Sequence, residues 1–142
     1  MVKLKMSEIE IMLTQFNTLS KEKFSSRVSY IISRWGKALE SEFKDYMAHY
    51  GELQKKYAKL DDEGKIVTEK DDNDRDVIVF EKGEEGKNEF TKEREELYST
   101  EIELPLTKIK LSEVANKELP ANIFIDFDPM FEDDSEAPDK IH

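Results

Sequence analysis

The fold is decided by residues 24–60, FSSRVSYIISRWGKALESEFKDYMAHYGELQKKYAKL, in which an apolar residue recurs at every third or fourth position. The average step between these residues is 3.6, the period of an α-helix, so they lie on one face of a single helix. We name this face the apolar stripe. It consists of Phe24, Val28, Ile31, Trp35, Leu39, Phe43, Tyr46, Tyr50, Leu53, Tyr57 and Leu60.

The helix that carries the apolar stripe is predicted to run from a cap at Ser20 to Leu60, a length of about 60 Å at a rise of 1.5 Å per residue. A first helix precedes it, because Ser7 and Glu10 have the spacing of a capping box. The turn between the two helices, residues 17–20, is short, so they form an αα-hairpin. The first helix covers only about a third of the stripe, and the rest needs other cover.

The sequence after residue 60 predicts a small mixed region without an internal repeat. It contains strands over 65–68 and 76–81 that form a β-hairpin, a helix over 88–98 capped by Asn88, an extended segment over 100–106 and one helical turn capped by Ser112. The predicted fold class is therefore α+β, mainly α, in which a small β-hairpin and short helices pack on a long helix of the N-terminal αα-hairpin. Residues 1–131 are predicted to form a single domain, with 1–60 as the helical hairpin and 61–131 as the mixed part.

The C-terminal segment combines acidic residues with large apolar ones. Phe124, Phe127, Met130 and Phe131 are interleaved with carboxylates. Such a segment is either a docking peptide or the last part of the core followed by a solvated tail. We favour the second interpretation, because residues 123–127 directly follow ordered-looking sequence, and we predict an acidic flexible tail over 132–142.

Composition and charge narrow the class of protein. The 142 residues include 33 acidic and 22 basic side chains and no cysteine, which excludes disulfide scaffolds, zinc-thiolate sites and thiol nucleophiles. Residues 1–60 carry a balance of +4 and residues 61–142 a balance of −15. No apolar run approaches the ~18 residues of a membrane span. We therefore expect a soluble intracellular protein that does not bind membranes.

The sequence contains no convincing catalytic or metal-binding constellation. His49 follows Asp45 by four residues, a spacing that could orient its ring as a general base but is more often an exposed contact on a helix. The acids at 72–76 open like a calcium loop but lack its turn glycine and its final bidentate acid. Asp126 and Asp128 form an acidic pair without a phosphate-binding loop. We predict no enzyme activity, no cofactor and no metal site.

Direct binding to nucleic acid is disfavoured by the formal net charge of −11, because neutralising phosphates requires clustered basic residues. Lys55, Lys56 and Lys59 are the exception along the chain, and their position at a helix C-terminus is explained by the helix dipole. Mimicry of nucleic acid stays an alternative, since carboxylates in residues 61–142 can imitate a phosphate backbone in the basic groove of another protein. Ordinary solubility also accounts for many exposed acids.

Several short segments, in order, resemble one known family. They are the lead into the long helix at 18–24 (TLSKEKF), its end at 53–57 (LQKKY), the turn at 61–65 (DDEGK), the helix with Phe90 and Leu97, and the segment 109–113 (IKLSE). They are similar to a family of small uncharacterised bacteriophage proteins, a domain of unknown function, over residues 9–131. The resemblance implies a phage or prophage origin and a location in the bacterial host cytoplasm or in the virion. It implies no catalytic residue, and the acidic segment after Phe131 departs from it.

The leading functional hypothesis is a non-enzymatic phage protein that uses the long amphipathic helix to bind another protein. Its partner is a phage or host protein or a second copy of itself, so its role is that of a virion component, an assembly factor or a regulator of a host protein. Aromatic residues dominate interface energies when a core does not use them. The predicted partner-binding residues are Trp35, Phe43, Tyr46, Tyr50, Tyr57, Phe127 and Phe131. The alternative hypothesis is an acidic inhibitor of a host nucleic-acid enzyme or defence complex acting through residues 61–142.

Overall fold

The computed structural model describes residues 1–134 and confirms the α+β, mainly α class. The α-helices are α1 (Met6–Ser20), α2 (Ser26–Tyr57), α3 (Gly83–Ser99) and α4 (Ala121–Asp126). The strands are β1 (Val2–Lys5), β2 (Thr68–Lys70), β3 (Asp76–Ile78), β4 (Glu101–Leu104), β5 (Ile109–Lys110) and β6 (Phe131–Glu132). Two 3₁₀ helices span Leu111–Val114 and Asp128–Met130.

The chain divides into two compact units. Within the described residues, the first, which we name the terminal unit, contains Met1–Phe43 and 100–134, and the second, the central unit, is Lys44–Ser99. Helix α2 contributes its first part to the terminal unit and its last part to the central unit. The predicted parts 1–60 and 61–131 do not coincide with these units, because the helix that was placed in one part is shared by both.

The terminal unit contains a strand that the sequence did not predict. Strand β1 pairs antiparallel with β4, with Val2 opposite Leu104 and Leu4 opposite Ile102. Val2 and Leu4 are buried and the intervening lysine is exposed, as in a strand with one face on a core. A four-residue strand has little periodicity of its own, and its partner lies about 100 residues away in the sequence. The extended segment predicted at 100–106 is confirmed as β4.

The predicted ends of the first two helices are wrong. Helix α1 begins directly after β1 at Met6, where the Lys5 backbone N–H donates to the Glu8 carboxylate at 2.9 Å, so Ser7 is not its cap. It continues through residues 17–19 and ends at Ser20, because Leu19 is completely buried and holds the last turn on the core.

Helix α2 begins at Ser26 and ends at Tyr57, so its 32 residues are about 48 Å long. Its first turn is capped by Ser25, whose hydroxyl oxygen accepts from the Val28 N–H at 3.3 Å. The predicted cap at Ser20 and the predicted end at Leu60 are both wrong. Leu60 lies instead in an extended segment, where it forms a bridge with Ile66.

Trp35 is at the centre of the terminal unit. Its ring is 6.2 Å from that of Phe127, nearly parallel to it, and 5.8 Å from that of Phe131, nearly perpendicular to it. Its indole N–H donates to the Thr107 carbonyl at 2.8 Å. Beside it, a Cβ on Gly36 would lie 2.6 Å from the Phe16 ring, so the glycine permits this close approach.

The C-terminal segment completes this core. Ile123, Phe127 and Met130 are completely buried, which confirms the core interpretation of residues 123–131. The predicted tail is wrong for residues 132–134, because β6 pairs in parallel with β5 and Asp134 accepts hydrogen bonds from the backbone N–H and hydroxyl of Ser112. The remainder of the predicted tail, 135–142, lies outside the described residues.

Three predicted boundaries after residue 60 also differ from those in the structure. The β-hairpin is confirmed, but its strands are Thr68–Lys70 and Asp76–Ile78. Helix α3 begins at Gly83, five residues before Asn88, and Gly83 itself has a left-handed φ of 61°. The 3₁₀ turn at Leu111–Val114 is capped by a Lys110 N–H donating to the Glu113 carboxylate at 3.0 Å, so Ser112 lies inside it.

Candidate functional site

Two matched turns build the hairpin of the central unit. In the first, the Asp61 Oδ1 accepts from the backbone N–H groups of Glu63 at 2.8 Å and Lys65 at 2.9 Å. In the second, the Asp71 Oδ1 accepts from the corresponding groups two and four residues later, again at 2.8 and 2.9 Å. The fourth residue of each turn has a positive φ, 80° at Gly64 and 61° at Asp74. Residues 61–65 (DDEGK) and 71–75 (DDNDR) thus form the same type of aspartate turn.

The hairpin is fixed to the end of α2 by a ring of three backbone hydrogen bonds. The Lys59 N–H donates to the Val79 carbonyl at 2.8 Å, the Val79 N–H to the Val67 carbonyl at 3.0 Å, and the Val67 N–H to the Lys59 carbonyl at 2.8 Å. Three chain segments therefore hold one another without a continuous sheet. The aspartate turns position these segments, since each reverses the chain between two of them.

Helix α3 closes the central unit through one aromatic side chain. Phe90 is 5% exposed, and its ring centroid lies 5.4 Å from that of Phe80, 6.0 Å from that of Tyr50 and 6.4 Å from that of Tyr57. Arg94, one turn later, places its guanidinium 6.0 Å from the Phe90 ring centroid. This cluster forms the apolar floor between α3 and the hairpin.

An open groove of about 840 Å³ lies along β3 and α3, wholly within the central unit. Aromatic and aliphatic side chains and charged groups of both signs line it. The charged groups are four carboxylates, Glu69, Asp71, Asp76 and Glu84, and two cations, Lys87 and Arg94. Val77 is 38% exposed in its lining, so the groove offers accessible apolar surface inside an acidic rim. We name it the β3–α3 groove.

A charged cluster lies at a second, smaller cavity of about 260 Å³ in the same unit. Lys56 Nζ is 3.1 Å from the Glu93 carboxylate. The Tyr57 hydroxyl and the Lys56 ammonium both donate to Glu93 and hold the pKa of that carboxyl below its ordinary value. The hydrogen bonds to Glu93 raise the pKa of Lys56 and that of Tyr57. Lys56 is exposed and Glu93 is partly exposed, so this ion pair contributes little to stability.

The apolar stripe is not a free face of the molecule. Its residues from Val28 to Leu39 are buried in the core of the terminal unit. Tyr46, Tyr50, Leu53 and Tyr57 are half-buried in the central unit. The chain itself therefore covers the first half of the stripe, and Phe127 and Phe131 of the C-terminal segment are part of that cover.

The seven predicted partner-binding residues fall into two groups. Trp35, Phe127 and Phe131 contact one another in the core of the terminal unit and are not accessible to a partner in this structure. The second group, Phe43, Tyr46, Tyr50 and Tyr57, is half-buried. Of these residues, Tyr50 lines the β3–α3 groove and Tyr57 lines the smaller cavity.

The residues examined for catalysis and metal binding are not brought together. His49 is exposed, and its Nδ1 lies 3.8 Å from the Glu52 carboxylate rather than against Asp45. Within residues 1–134, no group of three or more His, Cys, Asp and Glu side chains has the arrangement of a metal site. None of the helices in this part of the chain is long and apolar enough to span a membrane.

The sequence signals for the β3–α3 groove were present but local. The run VIVF at 77–80 indicated a strand, and Phe90 and Leu97 indicated the apolar side of a helix. That these elements leave an open groove between them depends on the three-segment ring, which no local pattern indicates. Comparisons of the sequence with models of known protein families find no match, and neither do comparisons with curated proteins or with solved structures.

Proposed function

We propose that this protein is a non-enzymatic interaction protein and that its partner binds in the β3–α3 groove rather than along the apolar stripe. The observation that carries the proposal is accessible apolar surface, including Val77, inside a rim of charged side chains of both signs. An apolar centre with a polar, solvated rim is the usual anatomy of a protein–protein interface.

The polar groups of the groove also favour a protein partner over a small molecule. Small-molecule sites place a few polar groups at depth, where they orient the ligand. Among residues 1–134, no polar or charged side chain is fully buried, and four charged groups of the groove are exposed: Glu69, Asp76, Glu84 and Lys87. A polypeptide, which can present apolar and charged side chains over a long surface, fits this distribution.

The resemblance to small bacteriophage proteins supports a place for this interaction in phage biology. Under this proposal the protein acts in the bacterial host cytoplasm or in the virion, as a virion component, an assembly factor or a regulator of a host protein. The partner is then another phage protein, a host protein or a second copy of this chain.

Two matched glutamine variants test the use of the groove. Val77→Gln makes the groove polar, and Ile125→Gln changes an apolar residue of the terminal unit that is 72% exposed. Each tagged variant is used to capture partners from phage-infected bacteria, with circular dichroism as the control for folding. We expect a partner that wild type and Ile125→Gln retain and Val77→Gln loses. Equal capture by folded Val77→Gln would contradict the proposal.

A second candidate function is the acidic inhibitor of a host nucleic-acid enzyme or defence complex. The observation that favours it is the row of exposed carboxylates on the two aspartate turns, including Asp62, Glu63, Asp72 and Asp74. Binding of this kind weakens steeply with added salt, because it is dominated by charge. An affinity for a basic target that does not change between low and high salt would contradict this candidate.

A further inference from the structure

The backbone of β3 has an unpaired edge beside the β3–α3 groove. The Asp71 N–H donates to the Arg75 carbonyl at 2.9 Å and the Val79 N–H to the Val67 carbonyl at 3.0 Å. In an antiparallel pair, alternate residues bond across the ladder. Residues 75, 77 and 79 therefore face β2, and the N–H and C=O groups of Asp76 and Ile78 point away from it.

The segment after α2 pairs on the β2 side of this chain and leaves that edge open. The Val79 carbonyl accepts from the Lys59 N–H at 2.8 Å and the Glu81 N–H donates to the Tyr57 carbonyl at 3.1 Å, so residues 79 and 81 face the same side as 75 and 77. Asp76 and Ile78 face the other side, and both line the β3–α3 groove. The groove thus offers a short strand edge next to accessible apolar surface.

Charge indicates which kind of chain fits there. The groove carries four carboxylates against two cations, and the hairpin tip adds the exposed Asp72 and Asp74. Two of these carboxylates are ion-paired, Asp76 with Lys70 Nζ at 2.9 Å and Asp71 with Arg75 Nε at 3.5 Å. Glu69 and Glu84 are both exposed. An extended segment with basic side chains complements this rim, whereas an acidic segment is repelled by it.

We propose that the partner binds by strand addition: an extended, basic segment of another protein pairs with β3 through the backbone of Asp76 and Ile78 and places its apolar side chains in the β3–α3 groove. In this mode the main-chain hydrogen bonds supply affinity and the side-chain contacts supply specificity. The inference rests on the proposed function, because it names the mode and the chemistry of the partner at the same groove.

A peptide titration tests this mode directly. The probe is the acetylated and amidated peptide Lys-Val-Lys-Ile-Lys-Val, titrated into ¹⁵N-labelled protein and followed by NMR. We expect shifts of the backbone amides around Ile78 and of the α3 amides around Phe90. We also expect the analogue with glutamate in place of lysine to cause none of these shifts. Shifts confined to other surfaces, or no shifts at all, would overturn the proposal.

Backbone-modified peptides separate strand pairing from side-chain contact. One analogue carries N-methyl groups at the odd-numbered peptide residues and the other at the even-numbered ones. The residues whose N–H groups face β3 therefore lose these donors in one of the two analogues. Losing at least one hydrogen bond and adding a methyl group at the edge should weaken binding at least about tenfold for that analogue. If both analogues bind as tightly as the parent, strand addition is wrong.

A pair of proline variants makes the same test on the protein. Ile78→Pro removes the outward N–H at the groove without touching the bonds across the hairpin, and proline is tolerated on a strand edge. Thr68→Pro is the matched control, because Thr68 is paired with Ile78 but does not line the groove. We expect only Ile78→Pro to weaken peptide binding, by about tenfold, and equal affinities of the two folded variants would overturn the proposal.

The proposed function and this inference fail in different ways. If Val77→Gln loses the captured partner while neither N-methylation nor Ile78→Pro affects peptide affinity, the groove is an interface but strand addition is wrong. If Val77→Gln retains the partner, the proposed function itself is wrong.

Discussion

Replacing Trp35 by phenylalanine distinguishes a core residue from a partner-binding residue. Trp35 is completely buried, and the substitution removes the hydrogen bond of its indole N–H to the Thr107 carbonyl, 2.8 Å long. It also replaces the two-ring indole, which packs against Phe127 and Phe131, by a single ring. The lost hydrogen bond costs about 1 kcal/mol, and the reduced burial and the small cavity cost about 1 to 2 kcal/mol more. We therefore expect the free energy of unfolding of the terminal unit to fall by about 2 to 3 kcal/mol.

Tyr30→Phe is the matched control, because it also leaves phenylalanine on α2. Tyr30 is 63% exposed, and its hydroxyl accepts only a long bond of 3.5 Å from Arg34. We expect a change in stability below about 0.5 kcal/mol. Both variants are unfolded with urea and followed by far-ultraviolet circular dichroism, since Trp35 is the sole tryptophan of the chain. Equal stabilities of Trp35→Phe and wild type would refute the placement of Trp35 in the core.

Two further predictions concern the central unit. Asp71→Ala removes the acceptor of two turn hydrogen bonds and should lower the free energy of unfolding in urea by about 1 to 2 kcal/mol. The control Asp72→Ala makes the same charge change and should lower it by less than about 0.5 kcal/mol. Equal decreases would contradict the turn assignment. The lowered pKa of Glu93 means that its contribution to stability is present above the pKa of the unfolded chain and is lost as the pH falls through the folded pKa. In a carboxyl NMR titration, Tyr57→Phe should raise the pKa of Glu93 more than Lys56→Met does, because the tyrosine hydrogen bond is the larger cause of the lowered pKa. A larger rise in Lys56→Met would contradict this assignment of the cause.

The helices and strands whose apolar residues recur at the period of a helix or a strand were predictable from the sequence. The apolar stripe predicted α2, the alternation of Ile102 and Leu104 with glutamates predicted β4, and the run at 77–80 predicted the hairpin. Each of these patterns repeats at the spacing of the element that it forms, so local sequence was sufficient. Of the two interpretations of the C-terminal segment, the core interpretation describes Phe127 and Phe131, which are buried, although both were also predicted to bind a partner.

What the sequence did not reveal depends on pairing between distant segments. Strand β1 has only four residues, and its identity depends on β4. The capping signal at Ser7 was displaced because β1 runs directly into α1, so the cap fell two residues earlier. The β3–α3 groove depends in turn on the ring of Lys59, Val67 and Val79. In each case the deciding contacts are long-range, while the local pattern fits more than one arrangement.

The same distinction explains the error in the predicted partner-binding residues. Large aromatics on an amphipathic helix are compatible with a core and with an interface, and composition does not separate the two. Trp35 belongs to a core because Phe127 and Phe131, about 90 residues later in the chain, pack against it and leave it completely buried. Tyr50 lines the β3–α3 groove, and its use by a partner stays a prediction.

Site-specific photo-crosslinking in phage-infected bacteria tests the central claim most directly. A photoreactive phenylalanine replaces Val77 in the β3–α3 groove or, as the control, Ile125 on the terminal unit. We predict a crosslinked product to one protein from position 77 that position 125 does not give. A product from position 125 with none from position 77 would contradict a partner in the groove.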